Sequence, residues 1–182
     1  MAKVIVGMTV SLDGFVNDRH GSVARLYPDL AALGKTEILQ EAMANTGAVV
    51  MGRRAYEMAN GDFTGYEFQV PIFVVTHHAP KEVARGGNAR LSFTFVGDLD
   101  SAIQRAKKAA GTRDVSVIGG ASIAQQCISS GLADELQIGI VPVLFGDGLR
   151  LFEKLGGDEV HLETIKVLES PGRTDIEFRV VK

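Results

Sequence analysis

Short apolar segments rich in valine and isoleucine recur along the chain, and segments with a helical period separate them. Five of these apolar segments cover residues 3–8, 48–51, 71–76, 115–119 and 136–141. Continuous apolar runs of this length are typical of strands that are buried on both faces, as in a largely parallel sheet. The pattern therefore predicts an α/β fold built around such a sheet.

Three segments between the predicted strands have the period of an amphipathic helix, and they cover residues 36–44, 99–110 and 121–130. In the clearest one, 99–110, the apolar stripe consists of Leu99, Ala102, Ile103, Ala106 and Ala110. Gly111 follows that stripe as a stop signal. We expect these helices to cover both faces of the sheet, which gives a three-layer αβα arrangement.

The end of the chain has a different pattern, because apolar and polar residues alternate there. Segments 160–168 and 174–181 flank the turn sequence Ser170-Pro171-Gly172. This is typical of an antiparallel hairpin. Since 182 residues is an ordinary length for one domain, we expect a single domain over residues 1–182 with a mixed, mostly parallel sheet.

Composition narrows the classes of function. A net charge of -3 gives no basic surface for nucleic acid or for an anionic membrane. The single cysteine, Cys127, excludes a disulfide framework, and the four histidines show no spacing typical of metal ligands. The apolar start of the chain is interrupted by Ser11 and Asp13 without a cleavage-site pattern, so we expect a cytoplasmic protein without a signal peptide.

Among the 21 glycines, Gly52 lies at a junction where a predicted strand meets a short helix. Arg53 and Arg54 begin that helix, although cations are unfavourable at the positive end of a helix dipole. A local rule broken in this way indicates function, and a bound phosphate would explain it. The alternative is that both arginines are solvated surface residues.

A second junction has the sequence Gly119-Gly120, which follows a predicted strand and precedes a helix that contains Ser122. Two successive glycines let the backbone approach a ligand, and the helix offers its free N–H groups to phosphate. The alternative is an ordinary strand-to-helix turn. Two such junctions on one sheet suit a dinucleotide, although neither the G-x-G-x-x-G pattern nor a Walker A sequence is present.

Asp13 follows the first predicted strand, at a position where catalytic carboxylates often lie. It is our candidate catalytic residue for substrate contact or acid chemistry. The alternative is a structural turn, because Asp13-Gly14 is also a common turn pair. No G-x-S-x-G sequence supports hydrolase chemistry.

The ordered blocks VIVGMTVSLDGF, VVMGRRAYE, IFVVTHH, VSVIGGASIAQQ and LADELQIGIVPVLFGDG resemble the dihydrofolate reductase superfamily. The similarity is to the branch related to the C-terminal reductase domain of the bifunctional riboflavin-biosynthesis deaminase-reductase, and it covers residues 3–180. It implies an eight-stranded mixed sheet, NADPH as the cofactor, a homodimer, and often a cis peptide between the paired glycines.

The resemblance also implies which residues bind the cofactor. They are Val6, Gly7, Gly14, Gly52, Arg53, Arg54, Thr76, His77, Ile118, Gly119, Gly120, Ala121, Ser122 and Ile123. Arg53, with Arg54 as its neighbour, would lie near the adenosine 2′-phosphate. Thr76 and His77 would hold the adenine ribose and phosphate.

The chain departs from the pattern of the superfamily at several positions. Ala55 replaces a threonine or serine that caps the phosphate-binding helix, and Ile118 replaces a glutamate that is common in the riboflavin branch. Glu37 and Glu41 lie near the place of a pterin-holding carboxylate, but the local sequence does not match. The zinc motifs of a deaminase are missing, so we expect no deaminase activity.

Our leading hypothesis is an NADPH-dependent oxidoreductase that reduces a small heterocyclic or carbonyl substrate by hydride transfer. A pterin- or pyrimidine-like compound, of the dihydrofolate or 5-amino-6-ribosylaminopyrimidine type, fits the resemblance. One alternative is an NADP(H)-binding sensor or regulatory protein without turnover. Another is a structural oligomerisation domain, which would leave Arg53-Arg54 and Gly119-Gly120 unexplained.

Overall fold

The computed structural model describes residues 2–153, 155–157 and 159–182. Its strands are β1 (Val4–Ser11), β2 (Phe15–Asp18), β3 (Thr46–Gly52), β4 (Asp62–Phe63), β5 (Ile72–Val75), β6 (Arg85–Gly86), β7 (Phe93–Val96), β8 (Asp114–Ile118), β9 (Glu135–Val141), β10 (Gly148–Arg150), β11 (Leu162–Ser170) and β12 (Arg173–Val180). Its helices are α1 (Leu30–Leu33), α2 (Glu37–Asn45), α3 (Arg53–Met58), α4 (Leu99–Ala110) and α5 (Ala121–Ser129), with a 3₁₀ turn at Ala24–Leu26.

Eight strands form the main sheet in the order β11-β12-β9-β1-β8-β3-β5-β7. The six strands from β9 to β7 are parallel to one another. The hairpin of β11 and β12 adds to the edge of β9 in the antiparallel direction. The structure therefore confirms the predicted mixed, mostly parallel sheet and its antiparallel end. Two small two-stranded sheets, β10-β2 and β4-β6, lie outside it.

The hydrophobic core has two parts, because successive side chains of a strand point to opposite faces of the sheet. Val50 packs into the cluster that contains the apolar stripes of α4 and α5. Its neighbour Val49 packs into the cluster that contains residues of α2 and α3. Every residue of β3 is buried, as the continuous apolar run predicts. Helices thus cover both faces, which confirms the three-layer arrangement.

Helix α4 has the predicted bounds, and its whole apolar stripe is buried. Strand β1 extends beyond the predicted segment 3–8, through the buried polar residues Thr9 and Ser11, because it continues to pair with β9 as far as Val141. The two-residue turn Pro171-Gly172 closes the predicted hairpin, with Gly172 at φ +79. Strand β7 escaped prediction because it lies at the edge of the sheet and only its last residue is buried.

No helix in the described ranges is long and apolar enough to cross a membrane.

Candidate functional site

Three of the predicted ligand-binding segments follow neighbouring strands of the sheet. Strands β8, β3 and β5 are adjacent and parallel, so their carboxyl ends lie at one edge. Gly119-Gly120 follows β8, Gly52 ends β3, and Thr76-His77 follows β5. Loops at the carboxyl ends of such strands are where open α/β sheets bind ligands. The fold thus brings these segments to one edge, as the sequence analysis expects.

The first two segments touch each other directly. The N–H of Gly52 donates to the carbonyl of Gly119 at 3.3 Å. A β-carbon added to Gly52 would lie 3.0 Å from Cγ1 of Ile123, and one added to Gly119 would lie 2.5 Å from the β-carbon of Ala55. Ile123 and Ala55 therefore leave too little space for side chains at Gly52 and Gly119. This contact is a physical reason for glycine at both places.

Helix α5 begins at this contact with free backbone donors. Gly119 and Gly120 have φ of +86 and +84, and Gly120 is the N-cap of the helix without a side-chain cap. Within the described residues, no acceptor takes the N–H of Ala121 or Ser122. No peptide bond in the described part of the chain is cis, so the Gly119-Gly120 bond is trans, in contrast to the cis form that the resemblance implies. The positive φ of both glycines makes the turn with a trans bond.

A large cleft opens beside this edge, with a volume of about 1040 Å³. Six of the predicted cofactor residues line it, and these are Gly7, Arg54, Ile118, Gly119, Gly120 and Ala121. The opposite wall comes from α1, α2 and the segment after α3. A cleft of this volume lies at the upper limit of the usual range for a small-molecule or cofactor site.

The two arginines at the start of α3 have different surroundings. The Nε of Arg53 lies 2.6 Å from Oε1 of Glu57, in an ion pair one helical turn away whose side chains are both about half exposed. Arg54 lines the cleft and forms no ion pair with any described residue. Successive helical residues point about 100° apart, and of the two arginines it is Arg54 that lines the cleft. The resemblance places Arg53 first at the phosphate, whereas the geometry favours Arg54.

Val6 and Ile123 are predicted cofactor residues whose side chains lie in the core. Val6 has no exposed surface and packs with α4 and α5, because alternation along β1 turns Gly7 to the cleft and Val6 away from it. Ile123 is also buried in that cluster. Only the backbone of these residues could contact a ligand, so any cofactor contact at Val6 and Ile123 would be made by main-chain atoms.

The remaining predicted cofactor residues lie at the same end of the sheet but outside the lining of the cleft. The hydroxyl of Thr76 donates to the carbonyl of His78 and accepts from its N–H, both at 3.1 Å. His77 is exposed. The hydroxyl of Ser122 accepts from Nε2 of Gln126 at 3.0 Å, and Gly14 occupies a turn with φ +86.

Asp13, the predicted catalytic carboxylate, anchors a loop. Its Oδ1 accepts from the hydroxyl of Ser11 at 2.6 Å and from the N–H of Phe145 at 3.1 Å, and its Oδ2 accepts from the N–H of Gly146 at 2.8 Å. These bonds, led by that of Ser11, lower the pKa of Asp13 from 3.8 to about 2.

The position of Asp13 follows from the length of β1. The strand continues from Gly7, which is paired with Ile118 at the cleft, to Ser11. Four more strand residues add roughly 13 Å. Asp13 is not among the residues that line the cleft, although Thr9 before it and Val16 after it are, and its contacts support the turn interpretation rather than acid chemistry.

Sequence reasoning missed a polar group at the other end of the cleft. Arg173, Asp175 and Gln137 all line it, and the carboxylate of Asp175 is only 2% exposed. The detectable signal was three charged residues, Arg173, Asp175 and Glu177, at alternate positions of a strand. Charges on one face of a main-sheet strand are unusual, but without the register of β12 on β9 nothing linked them to a cleft.

The profile of the RibD C-terminal domain family matches residues 2–174 of the chain. The chain belongs to this family. The match confirms the resemblance stated above, and it places the chain among domains related to riboflavin-biosynthesis reductases.

Two relatives match over most of the chain. The uncharacterized protein YyaP of Bacillus subtilis is 26% identical over 158 residues, which cover 82% of this chain and 80% of YyaP. The riboflavin biosynthesis protein RibD of Corynebacterium ammoniagenes is 29% identical over 153 residues, which cover 81% of this chain and 43% of RibD. The chain thus corresponds to less than half of that longer protein.

Solved structures show the same fold. A candidate riboflavin biosynthesis protein from Shewanella sp. PV-4 superposes with a TM-score of 0.79 at 24% identity, over 100% of both chains. The diaminohydroxyphosphoribosylaminopyrimidine deaminase/5-amino-6-(5-phosphoribosylamino)uracil reductase of Thermotoga maritima gives a TM-score of 0.70 at 15% identity, over 99% of this chain and 57% of its own. At these identities the likeness establishes the fold.

Proposed function

We propose that this protein is an NADPH-dependent reductase of a small heterocyclic substrate. The observation that carries the proposal is the contact between the two glycine junctions, Gly52 and Gly119-Gly120, beside a cleft that Arg54 also lines. Reductase domains of this family use a nicotinamide cofactor, and the match to the family covers most of the chain.

The residues present fit such a cofactor. The two glycines at the start of α5 leave the backbone bare, and the N–H groups of Ala121 and Ser122 are free to donate to a pyrophosphate. Gly7, on the neighbouring strand β1, has open space where a side chain would begin. A flat ring could lie against that part of the sheet. When bound, the reduced nicotinamide would supply the hydride.

The protein's own contribution would be binding, orientation and exclusion of water. The apolar side of the cleft, with Ile118, Met51 and Phe68 among its lining residues, would shield the reacting atoms from solvent. Free N–H donors and Arg54 would fix the charged end of the cofactor. Asp13 has no part in this scheme, since its carboxylate is ionised near neutral pH and is occupied by loop contacts.

Selectivity for NADPH over NADH tests the proposal, because Arg54 lines the cleft at the same edge as the two glycine junctions. We expect Arg54→Ala to weaken NADPH binding by roughly 1–3 kcal/mol, the value of a hydrogen bond to a charged group, and to leave NADH binding almost unchanged. Arg53→Ala is the matched control on the same helix and should have a smaller effect, since Arg53 is paired with Glu57. The measurement is a fluorescence titration with each cofactor.

The outcomes of that titration separate several readings. No binding of either cofactor to the wild-type protein would overturn the proposed function. A larger effect of Arg53→Ala would restore the original assignment of the 2′-phosphate to Arg53. Equal losses for NADPH and NADH in both variants would refute a 2′-phosphate contact by either arginine.

A sensor without turnover is the second candidate, and the residue at position 118 favours it. Ile118 lines the cleft where the riboflavin branch commonly has a glutamate. NADPH oxidation across a panel of dihydrofolate, pterin and ribosylaminopyrimidine substrates decides between the two. Tight NADPH binding with no oxidation by any of them would favour the sensor.

We also propose a homodimer, as the resemblance implies. The edge strand β11 exposes Leu162, Ile165 and Val167 to 41%, 43% and 59%. Exposed apolar side chains on an edge strand are a liability unless another surface covers them. Light scattering of the purified protein would show twice the mass of the chain, and a monomeric mass would refute the dimer.

A further inference from the structure

The cleft-facing side of the sheet has a polar floor at the end away from Arg54. Thr9 of β1, Gly139 of β9 and Asp175 of β12 lie side by side across three strands. Gly7, Gln137 and Glu177 form the next row. Thr9, Gln137 and Asp175 line the cleft.

The guanidinium of Arg173 occupies the space above Gly139 where a side chain would begin. A β-carbon on Gly139 would collide with the guanidinium of Arg173 and would lie 2.8 Å from Oδ1 of Asp175. The guanidinium is held by Asp175, with Nε 2.9 Å from Oδ2 and Nη2 2.5 Å from Oδ1. The side chains of Arg173 and Asp175 are only 13% and 2% exposed. The planar group therefore has a fixed position and orientation.

This pairing leaves part of the guanidinium available. Its Nε and Nη2 edge is used by Asp175, whereas Nη1 has no partner within the described residues. Among the described residues, the hydroxyl of Tyr66 is the fully buried side-chain polar atom that lacks a hydrogen-bond partner. Nη1 of Arg173 also lacks a partner, so it is not fully buried, and it is open to the cleft that Arg173 lines. Desolvating an ion pair costs free energy that the pair itself often does not recover. A guanidinium donor that is held in position for a ligand is a reason to retain the ion pair of Arg173 and Asp175.

Gln137 supplies the opposite polarity on the same floor. Its Nε2 donates to Oε1 of Glu177 at 3.2 Å, and no donor among the described residues bonds its own side-chain carbonyl oxygen. Gln137 and Gly139 are two residues apart and face the same side of β9. The guanidinium fills the space above Gly139, so the side chain of Gln137 starts at the next position on the same face of β9.

The charge and shape of this region select the kind of ligand. Arg173 and Asp175 neutralise each other, so the pair suits a neutral acceptor better than a full anion. Gly7, across from Gln137, leaves open space above the sheet. A flat ring with a carbonyl oxygen beside a ring N–H matches one donor, one acceptor and an open flat floor.

We propose that Arg173, held in place by Asp175, acts with Gln137 to recognise the lactam edge of a planar heterocyclic substrate. Nη1 of Arg173 donates to the ring carbonyl, and the side-chain carbonyl of Gln137 accepts from the adjacent ring N–H. This inference rests on the proposed reductase function. Arg173 and Gln137 would then select rings with an unsubstituted lactam over rings in which an amino group replaces the carbonyl.

The test compares two probes that differ in this edge only. Pterin has the lactam, and 2,4-diaminopteridine replaces its carbonyl by an amino group. Fluorescence titration of the protein saturated with NADPH, and of the protein alone, gives the ratio of the two affinities. We expect the wild-type protein to favour pterin by roughly 10- to 100-fold, the range of a hydrogen bond to a charged group.

Arg173→Lys retains the charge but loses the planar fork, and we expect it to abolish most of that preference. Gln137→Leu should reduce it through the other bond and leaves the ion pair intact, so it serves if the arginine variant does not fold. We expect both variants to bind NADPH like the wild type. A merely structural role for Arg173 would give the same NADPH binding. It would not change the ratio of the affinities for the two probes.

Three results would overturn the inference. They are a wild-type preference for 2,4-diaminopteridine, no binding of pterin, and an unchanged ratio in both variants. The failure of the proposed function gives a different result, because a protein that binds no NADPH can still show the lactam preference in the titration without cofactor.

Discussion

The α-carbon of Gly119 and the side chain of Ala55 occupy adjoining space, so that a β-carbon on Gly119 would lie 2.5 Å from that of Ala55. This single contact joins the end of β8 to the start of α3. Position 55, where the superfamily has a threonine or serine, therefore lies directly against Gly119. The two junctions that the sequence singles out are thus one packed unit.

Gly119→Ala should destabilise the protein more than Gly120→Ala. Both glycines have positive φ, which costs an alanine about 1 kcal/mol. Only Gly119 also collides with a neighbour, since the nearest atom to a β-carbon on Gly120 is 3.7 Å away. Urea unfolding measures the difference, and overpacking of this kind typically adds about 1–3 kcal/mol.

Ala55→Gly provides the control for this pair. It should recover part of the loss in Gly119→Ala, because it removes the β-carbon that would be struck, and it should recover nothing in Gly120→Ala. Equal stabilities of Gly119→Ala and Gly120→Ala would show that the protein accommodates the new contact with Ala55 without a loss of stability.

Tyr66→Phe should leave the free energy of unfolding unchanged or raise it. The hydroxyl of Tyr66 is buried without a partner within the described residues, and burial raises its pKa. Removing an unsatisfied buried hydroxyl breaks no hydrogen bond, and it relieves a desolvation cost of about 1–3 kcal/mol. The ring contacts with Phe63 and Phe68 remain.

Tyr56→Phe is the matched substitution, and we expect it to lower the free energy of unfolding. The hydroxyl of Tyr56 accepts from the N–H of Ala84 at 2.8 Å. Its loss should cost about 0.5–1.5 kcal/mol. Thermal unfolding of the two variants side by side makes the comparison, and a destabilised Tyr66→Phe would show that the hydroxyl has a partner in solution.

Asp13→Asn should destabilise the protein above pH 3.8, and this effect should fade as the pH falls further. The folded pKa of Asp13 is about 2 and its ordinary value is 3.8. A carboxyl group whose pKa is lower in the folded state contributes stability that is fully present above the unfolded value and is lost as pH falls through the folded value. The stability gap between wild type and Asp13→Asn should therefore narrow between pH 3.8 and about 2.

Urea unfolding of both proteins from pH 7 to pH 2 measures this gap. Activity offers an independent check, since Asp13→Asn should retain turnover if the carboxylate only anchors Phe145 and Gly146. Loss of turnover in a folded variant with unchanged substrate binding would return Asp13 to the catalytic role.

Cys127 should resist thiol reagents in the folded protein. Its side chain has no exposed surface, and burial raises the pKa of the thiol to about 12. The reactive species is the thiolate, which is scarce at that pKa. Alkylation with iodoacetamide, followed by mass spectrometry, should modify one site in urea and leave the native protein unmodified. Rapid labelling under native conditions would contradict the burial of α5.

The sequence by itself determined the elements whose pattern is complete within a few residues. The apolar run at 48–51 predicted a buried strand because β3 is covered on both faces, and the stripe of 99–110 predicted α4 at its observed bounds. The glycine junctions were also visible, because a bare backbone before a helix is a local property. Strand β7 was not, since its burial depends on an edge position that only the sheet order defines.

Only the tertiary structure decided which charged side chains meet the cleft. Arg53 and Arg54 are adjacent in sequence, but the rotation of α3 turns one to Glu57 and the other to the cleft. Asp13 resembled a catalytic carboxylate until the length of β1 placed it among loop amides. Arg173 and Gly139 are far apart in the chain, and it is the register of β12 on β9 that lays the guanidinium over the glycine. Side-chain direction and strand register are long-range properties, which no local pattern specifies.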